Sequence, residues 1–152
     1  MTIALNTPTA ARVATPTVST TLDLEDCAKL LLRVALGLLL LLHGVAKISN
    51  GIDPILGAVA QAGFPAALAY GVYVGEVVAP LLLIVGVWTR SAAIVIAINM
   101  LVAVALVHLN DLGTLSSNGG WALELQAFYL VSAVAVALLG PGRLGLGSGS
   151  AS

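Results

Sequence analysis

One cysteine, two tryptophans and 9% charged residues are all that this 152-residue chain holds of the groups on which soluble and redox-active domains commonly rely. A soluble domain carries about 25% charge. A chain that is 59% hydrophobic, with mean hydropathy +1.07, is an integral membrane protein by composition. The lone Cys27 excludes an internal disulfide or a C-x-x-C pair, so any redox chemistry would proceed without a dithiol of the chain's own. It reads as a small residue at the membrane boundary. Six Lys and Arg against seven Asp and Glu leave a formal net charge of −1. No basic cluster is present to mark a nucleic-acid footprint. Phosphate loop, nucleophile elbow and catalytic triad are all missing, and Gly119-Gly120 is too short to cradle a phosphate. A cleaved signal peptide is not expected, because Asp23, Glu25 and Asp26 flank the first apolar run and further spans follow it.

What the chain does have is four apolar segments of spanning length, about 20 residues each: Leu30–Ser49, Ala66–Trp88, Ser91–Leu109 and Trp121–Leu139. Helix is the expected form, since an open sheet in lipid leaves backbone groups unsatisfied. The expected fold is therefore an all-α membrane protein, an antiparallel four-transmembrane-helix bundle. Thr89-Arg90 is all that separates the second and third segments, which predicts a tight hairpin. Ile52, Ile55, Leu56 and Val59 recur at helical spacing and predict a short helix lying in the interface. Asn110–Gly120 reads as a polar loop. Residues 1–27 read as a disordered cytoplasmic tail, 28–143 as the membrane domain and 144–152 as a flexible tail. Asp23 or Asp26 is expected to cap the first helix. Arg12, Lys29, Arg33, Arg90 and Arg143 fall on one side if the helices alternate, and Lys47 on the other. The positive-inside rule then puts both termini in the cytoplasm.

Ionisable groups in lipid cost several kcal/mol and mark working sites. At about 1.5 Å per residue, Lys47 and His108 lie near the outer boundary, with Glu124 about one turn below. His43 lies about 7–9 Å down and Glu76 about 13–15 Å, close to the midplane. His43 and Lys47, spaced i, i+4, share a face. Glu76 must be protonated or paired with His43 or Lys47. Two roles stand for it: a polar clasp between helices, or a carboxylate handling protons or a ligand. Pro80 removes the donor for the Glu76 carbonyl, and the hairpin count places the Asn99 amide where it could replace that donor. Glu124 is either a rim charge or a site member, and Trp121 an interface anchor. Gln126 points about 200° away from Glu124 and is assigned to another contact. Arg33 is expected to anchor at the cytoplasmic interface.

The binding candidates are thus His43, Lys47, Glu76, Asn99, His108 and Glu124. Arg33, Pro80, Arg90 and Trp121 are structural or anchoring. Haem between His43 and His108 is disfavoured, because their depths differ by about a turn and neither lies in an attachment motif. A metal held by these histidines and a carboxylate has suitable ligand chemistry. Polar partnering within the bundle is the leading account of both residues, and no metal is assigned.

Taken in order, Arg33, His43-Gly44-x-x-Lys47, Glu76 with Pro80, Trp88-Thr89-Arg90, Gly119-Gly120-Trp121-x-x-Glu124 and Leu139-Gly140-Pro141-Gly142-Arg143 resemble the DoxX family of small bacterial membrane proteins. The resemblance spans about Leu30–Arg143. It implies a four-helix bundle in the bacterial cytoplasmic membrane and a link to quinone, sulfur or oxidative-stress physiology. Namesakes are associated with a quinol oxidase or a thiosulfate:quinone oxidoreductase. It transfers positions (Arg33, His43, Lys47, Glu76 and Glu124) but no catalytic set. The leading functional expectation is binding of a quinone-like or other small amphipathic molecule in an outer-leaflet polar pocket. The alternatives are proton-coupled transport of a small solute, with Arg33 at the inner end of the path, or an accessory subunit of a membrane oxidoreductase. Lipid, an oxidoreductase partner and a second copy of the chain are the expected partners.

Overall fold

Small and polar residues are buried in this protein alongside its apolar core, and many large apolar ones face outward. In the computed structural model, which describes residues 23–146, Arg33, Gly37, Gly44, Gly75, Glu76, Ala93, Ser132 and Ala133 are buried. Leu31, Leu38, Leu42, Ile94, Ile98, Phe128, Val131 and Leu138 are exposed. Water does not tolerate continuous apolar belts of this extent, whereas lipid does. Without a hydrophobic drive between helices, close packing and polar contacts are what hold them together. The chain is a membrane protein.

Helix α1 runs Leu24–Asn50 and begins earlier than the apolar run, taking in residues assigned to the tail. The rest of that tail, residues 1–22 with Arg12, and residues 147–152 lie outside the described residues. Asp23 stands at the N-cap but its side chain makes no capping bond, and Asp26 accepts the Arg143 backbone N–H at 2.9 Å instead. The expected connecting helix is α2, Asp53–Gln61, with Pro54 in its first turn, where no donor is needed. Its Ile52 and Val59 bury against Ala69.

The second apolar segment is a composite rod. A 3-10 turn, Ala66–Tyr70, leads into α3, Gly71–Tyr73, a π turn, Val74–Val78, and α4, Ala79–Val85. Pro80 accounts for the interruption. Lacking an N–H, it breaks the α ladder, and the Ala79 N–H reaches back five residues to the Val74 carbonyl. Glu76 lies within this widened turn. Such π turns recur at functional sites.

Helix α4 ends at Gly86, in the left-handed conformation with φ 80°, and Trp88 follows with φ 48°. The turn to α5, Thr89–Val107, is therefore Gly86–Trp88, and Thr89-Arg90 opens the next helix rather than forming the hairpin. A 3-10 turn, Leu109–Asp111, and a loop closed by a bridge between Leu115 and Trp121 lead to α6, Glu124–Leu139. Helix α1 packs on α4 and α6, and α5 on α4 and α6, around Leu36, Leu40, Leu83, Ile96, Met100 and Val136. Among the described residues, three segments, Leu24–Asn50, Ala66–Val85 and Thr89–Val107, are long and apolar enough to cross a membrane, and α6 is apolar but shorter.

Candidate functional site

Two glycines set how closely α1 approaches the rod. A side chain at Gly37 would lie 3.1 Å from the Pro80 carbonyl oxygen, and one at Gly44 would run into the backbone of Glu76 and the side chain of Val77. With hydrogen at both positions, the helices close together, and Lys47, one turn beyond Gly44 along α1, binds both carboxylate oxygens of Glu76. Residue Glu76 is 4% exposed, so its charge is removed from solvent. The side chain of Lys47 keeps 30% exposure. A buried carboxylate is tolerable only with such a partner. Of the two partners expected for Glu76, His43 and Lys47, it is Lys47 that binds it.

His43, on the same face of α1, lies 3.2 Å from the Tyr129 hydroxyl of α6, with the two rings edge to face. His108, just past the end of α5, meets Asp111 Oδ2 at 2.9 Å through Nδ1 and the Gln126 amide nitrogen at 3.3 Å through Nε2. These pairs surround a cavity of about 120 Å³, walled also by Leu40, Met100, Ala103 and Leu125. Four candidates, His43, Lys47, Glu76 and His108, thus converge. Gln126 and Tyr129 join them.

The other two candidates do not line this cavity. Glu124 is exposed and folds back on Gly120, so of the two α6 positions about 200° apart it is Gln126 that faces the cavity. Asn99 packs against Gly75 rather than supplying the missing donor to Glu76, and its Nδ2 has no partner among the described residues. Tyr129 is hard to single out from sequence because its neighbours in α6, Phe128 and Leu130, are apolar. Its spacing of three from Gln126 was the available signal.

The anchoring residues divide likewise. Arg33 is 2% exposed and donates to the carbonyls of Pro141 at 3.0 Å and Leu144 at 3.4 Å. Gly86 and Gly145 flank its guanidinium, where a side chain would collide with it. The segment after α6 is thereby held against α1, which gives the Leu139–Arg143 motif a physical reason. Arg90 is exposed and lies beside Gly140. Trp121 is partly exposed and its indole N–H donates to the Leu112 carbonyl at 2.9 Å, closing the loop before α6.

Comparison with known proteins follows the same residues. A protein of Haemophilus influenzae, described only as uncharacterized, is 34% identical over 101 residues, covering 64% of this chain and 72% of its own. No solved structure matches. The DoxX family matches residues 28–109, which takes in Arg33, His43, Lys47, Glu76, Asn99 and His108 and stops short of α6. The chain belongs to the DoxX family of membrane proteins.

Proposed function

We propose that this protein crosses the bacterial cytoplasmic membrane four times as an antiparallel bundle, with both termini inside, and binds a quinone-like or other small amphipathic molecule in the Lys47 end of the bundle. Helix α6, at 16 residues, covers about 24 Å at 1.5 Å per residue. Trp121-Ala122-Leu123 before it extend that reach towards the roughly 30 Å of the hydrocarbon core. Phe128, Val131 and Leu138 form its lipid face.

The observation that carries the binding reading is the Lys47–Glu76 pair bordering a cavity instead of being packed over. A cavity of about 150 Å³ accommodates benzene, so one of about 120 Å³ takes a single ring at most, and that only in part. A ring bearing carbonyl or hydroxyl groups needs a few placed donors and acceptors in an otherwise apolar pocket. Lys47 and the Gln126 amide donate, the imidazoles of His43 and His108 and the Tyr129 hydroxyl do either, and Glu76 accepts. A bound quinone would supply the two-electron chemistry. The protein's own groups orient the ring, exclude water and hold a proton at the Glu76 carboxylate or the Tyr129 hydroxyl.

Transport is less favoured than binding, because Arg33, the proposed inner end of a path, is enclosed by Gly86 and the 141–145 segment. An accessory role beside an oxidoreductase, or in a homo-oligomer, is compatible with the same site. The test is binding of a short-chain benzoquinone to the purified protein in detergent, followed by tryptophan quenching. Glu76→Gln and Lys47→Met should each weaken it about tenfold, the loss of one charge-assisted contact. Unchanged affinity in both variants would remove the site.

A further inference from the structure

The polar cavity is not the larger hollow at this end of the molecule. A second, of about 660 Å³, lies between α2, the 3-10 and π turns of the rod and α5, with walls that are nearly all apolar, Val59, Leu68, Val72, Ile98 and Val102 among them. Lys47, Glu76, Ala103 and His108 line both hollows, so the two adjoin at the ion pair. Leu68, Val74, Ile98 and Val102 are 47–60% exposed, and the second hollow therefore opens sideways, through the apolar flank of the helices. In its wall stands Asn99, whose Nδ2 has no partner among the described residues.

Volume separates the two roles. Pockets for whole ligands measure roughly 300–1,000 Å³ and are mainly apolar with a few polar groups. The polar cavity, at about 120 Å³, falls below that range and holds a ring at most, while the apolar hollow at about 660 Å³ falls within it. The small hollow has the polar groups and the large one has the space.

Building on the reading of the polar cavity as a ring site, we infer that the two hollows form one bipartite site for a single-chain amphiphile. The compact hydrogen-bonding head lies beside Lys47, His43 and Tyr129. The hydrocarbon tail passes the ion pair and lies in the apolar hollow, entering from the bilayer through the flank between the rod and α5. Lipid is as apolar as this hollow, so the tail gains little by the transfer. It selects which molecule binds and the direction of approach, and adds little affinity.

The experiment uses the full chain in phosphatidylcholine vesicles with two probes, tail-less benzoquinone and a benzoquinone carrying a decyl tail with a terminal diazirine. Photolysis should label the Ile55–Val72 and Val95–Leu106 stretches, and unlabelled decyl-benzoquinone should compete that label away. Gly71→Phe blocks the hollow with no backbone cost. Gly71 lines it, has a helical φ of −57°, and a side chain there meets nothing within 4 Å. This substitution should weaken the tailed probe about tenfold, a change equivalent to 1.4 kcal/mol, and leave the tail-less probe within about twofold. Lys47→Met should weaken both. Label spread over Phe128 and Val131 of α6, or Gly71→Phe without effect while Lys47→Met still weakens both probes, would make the second hollow an ordinary lipid crevice and overturn the inference alone. Two probes indifferent to Lys47→Met would overturn the polar-site reading and the inference with it. The labelling pattern decides for the unsubstituted protein even if a variant fails to fold.

Discussion

Gly44 lies against the backbone of Glu76 with no room between them for a methyl group. The Lys47–Glu76 pair depends on that approach, because Lys47 stands one turn along α1 from the point of contact. The ion pair and the glycine are one device: the glycine sets the distance and the lysine uses it.

Gly44→Ala should therefore cost about 1–3 kcal/mol, the usual penalty of overpacking, and weaken quinone binding along with it. Gly57→Ala is the control. Its position in α2 has nothing within 4 Å of an added side chain, so removing glycine's freedom in the unfolded chain should stabilise by about 0.4–1 kcal/mol. Thermal unfolding in detergent reads both, and the two shifts should be of opposite sign.

Within the ion pair, the two single substitutions should differ. Lys47→Met strands a carboxylate on a side chain 5% exposed, while Glu76→Gln leaves an ammonium on one that keeps 30% exposure. Breaking a fully buried pair costs about 3–5 kcal/mol. With Lys47 partly exposed, a loss on the order of 2 kcal/mol is expected for Lys47→Met, and less for Glu76→Gln. The double variant Lys47→Met/Glu76→Gln should recover part of the Lys47→Met loss. Additive losses in a double-mutant cycle would show the pair to be uncoupled.

Arg33→Lys should not preserve the far end of the bundle. Its guanidinium serves two carbonyls, Pro141 and Leu144, from one planar fork, and a lysine offers a single point of charge. Amide hydrogen exchange over residues 139–146 should accelerate in Arg33→Lys and in Gly145→Leu, whose new side chain would begin 2.8 Å from Arg33 Nη1. Exchange there as slow as in the parent protein would mean that Arg33 does not hold the segment.

Tyr129→Phe separates binding from stability. The edge-to-face contact with His43 survives, with ring centroids 5.7 Å apart, while the 3.2 Å hydrogen bond is lost. A neutral hydrogen bond is worth about 0.5–1.5 kcal/mol net, so unfolding should shift little. Quinone affinity should fall about three- to tenfold if the hydroxyl meets the ring. Equal affinity in Tyr129→Phe would leave that hydroxyl a purely structural partner of His43.

Depth was legible in the chain because each helical residue rises by a constant amount. Counting from the ends of the apolar runs places His43, Lys47, Glu76 and His108 at one end of the bundle, and these four line one cavity. The direction in which a side chain points was less legible, because helix rotation is set by neighbours. Asn99 was counted to the carbonyl of Glu76, but the three-residue turn Gly86–Trp88 and the π turn around Glu76 change the register of the rod against α5, and Asn99 meets Gly75. The helical step separates Glu124 from Gln126 by about 200°, but nothing local shows which of the two faces turns inward. Arg33 reads from the chain alone as an interfacial anchor, and its carbonyl partners, Pro141 and Leu144, lie 108 and 111 residues away, beyond any local rule.

Composition and periodicity by themselves determined that this is a helical membrane protein, that Glu76 must be protonated or paired, and that His43 and Lys47 are the partners within reach of it. These follow from local rules: hydropathy, rise per residue and the cost of an unpaired charge in lipid. Tertiary structure alone decided that Tyr129 and Gln126 complete the cavity, that Glu124 stays outside it, and that Arg33 clasps the end of the chain. Those outcomes depend on helix azimuth and on how closely backbones approach, which the contacts at Gly37, Gly44, Gly75 and Gly86 set between residues far apart in sequence.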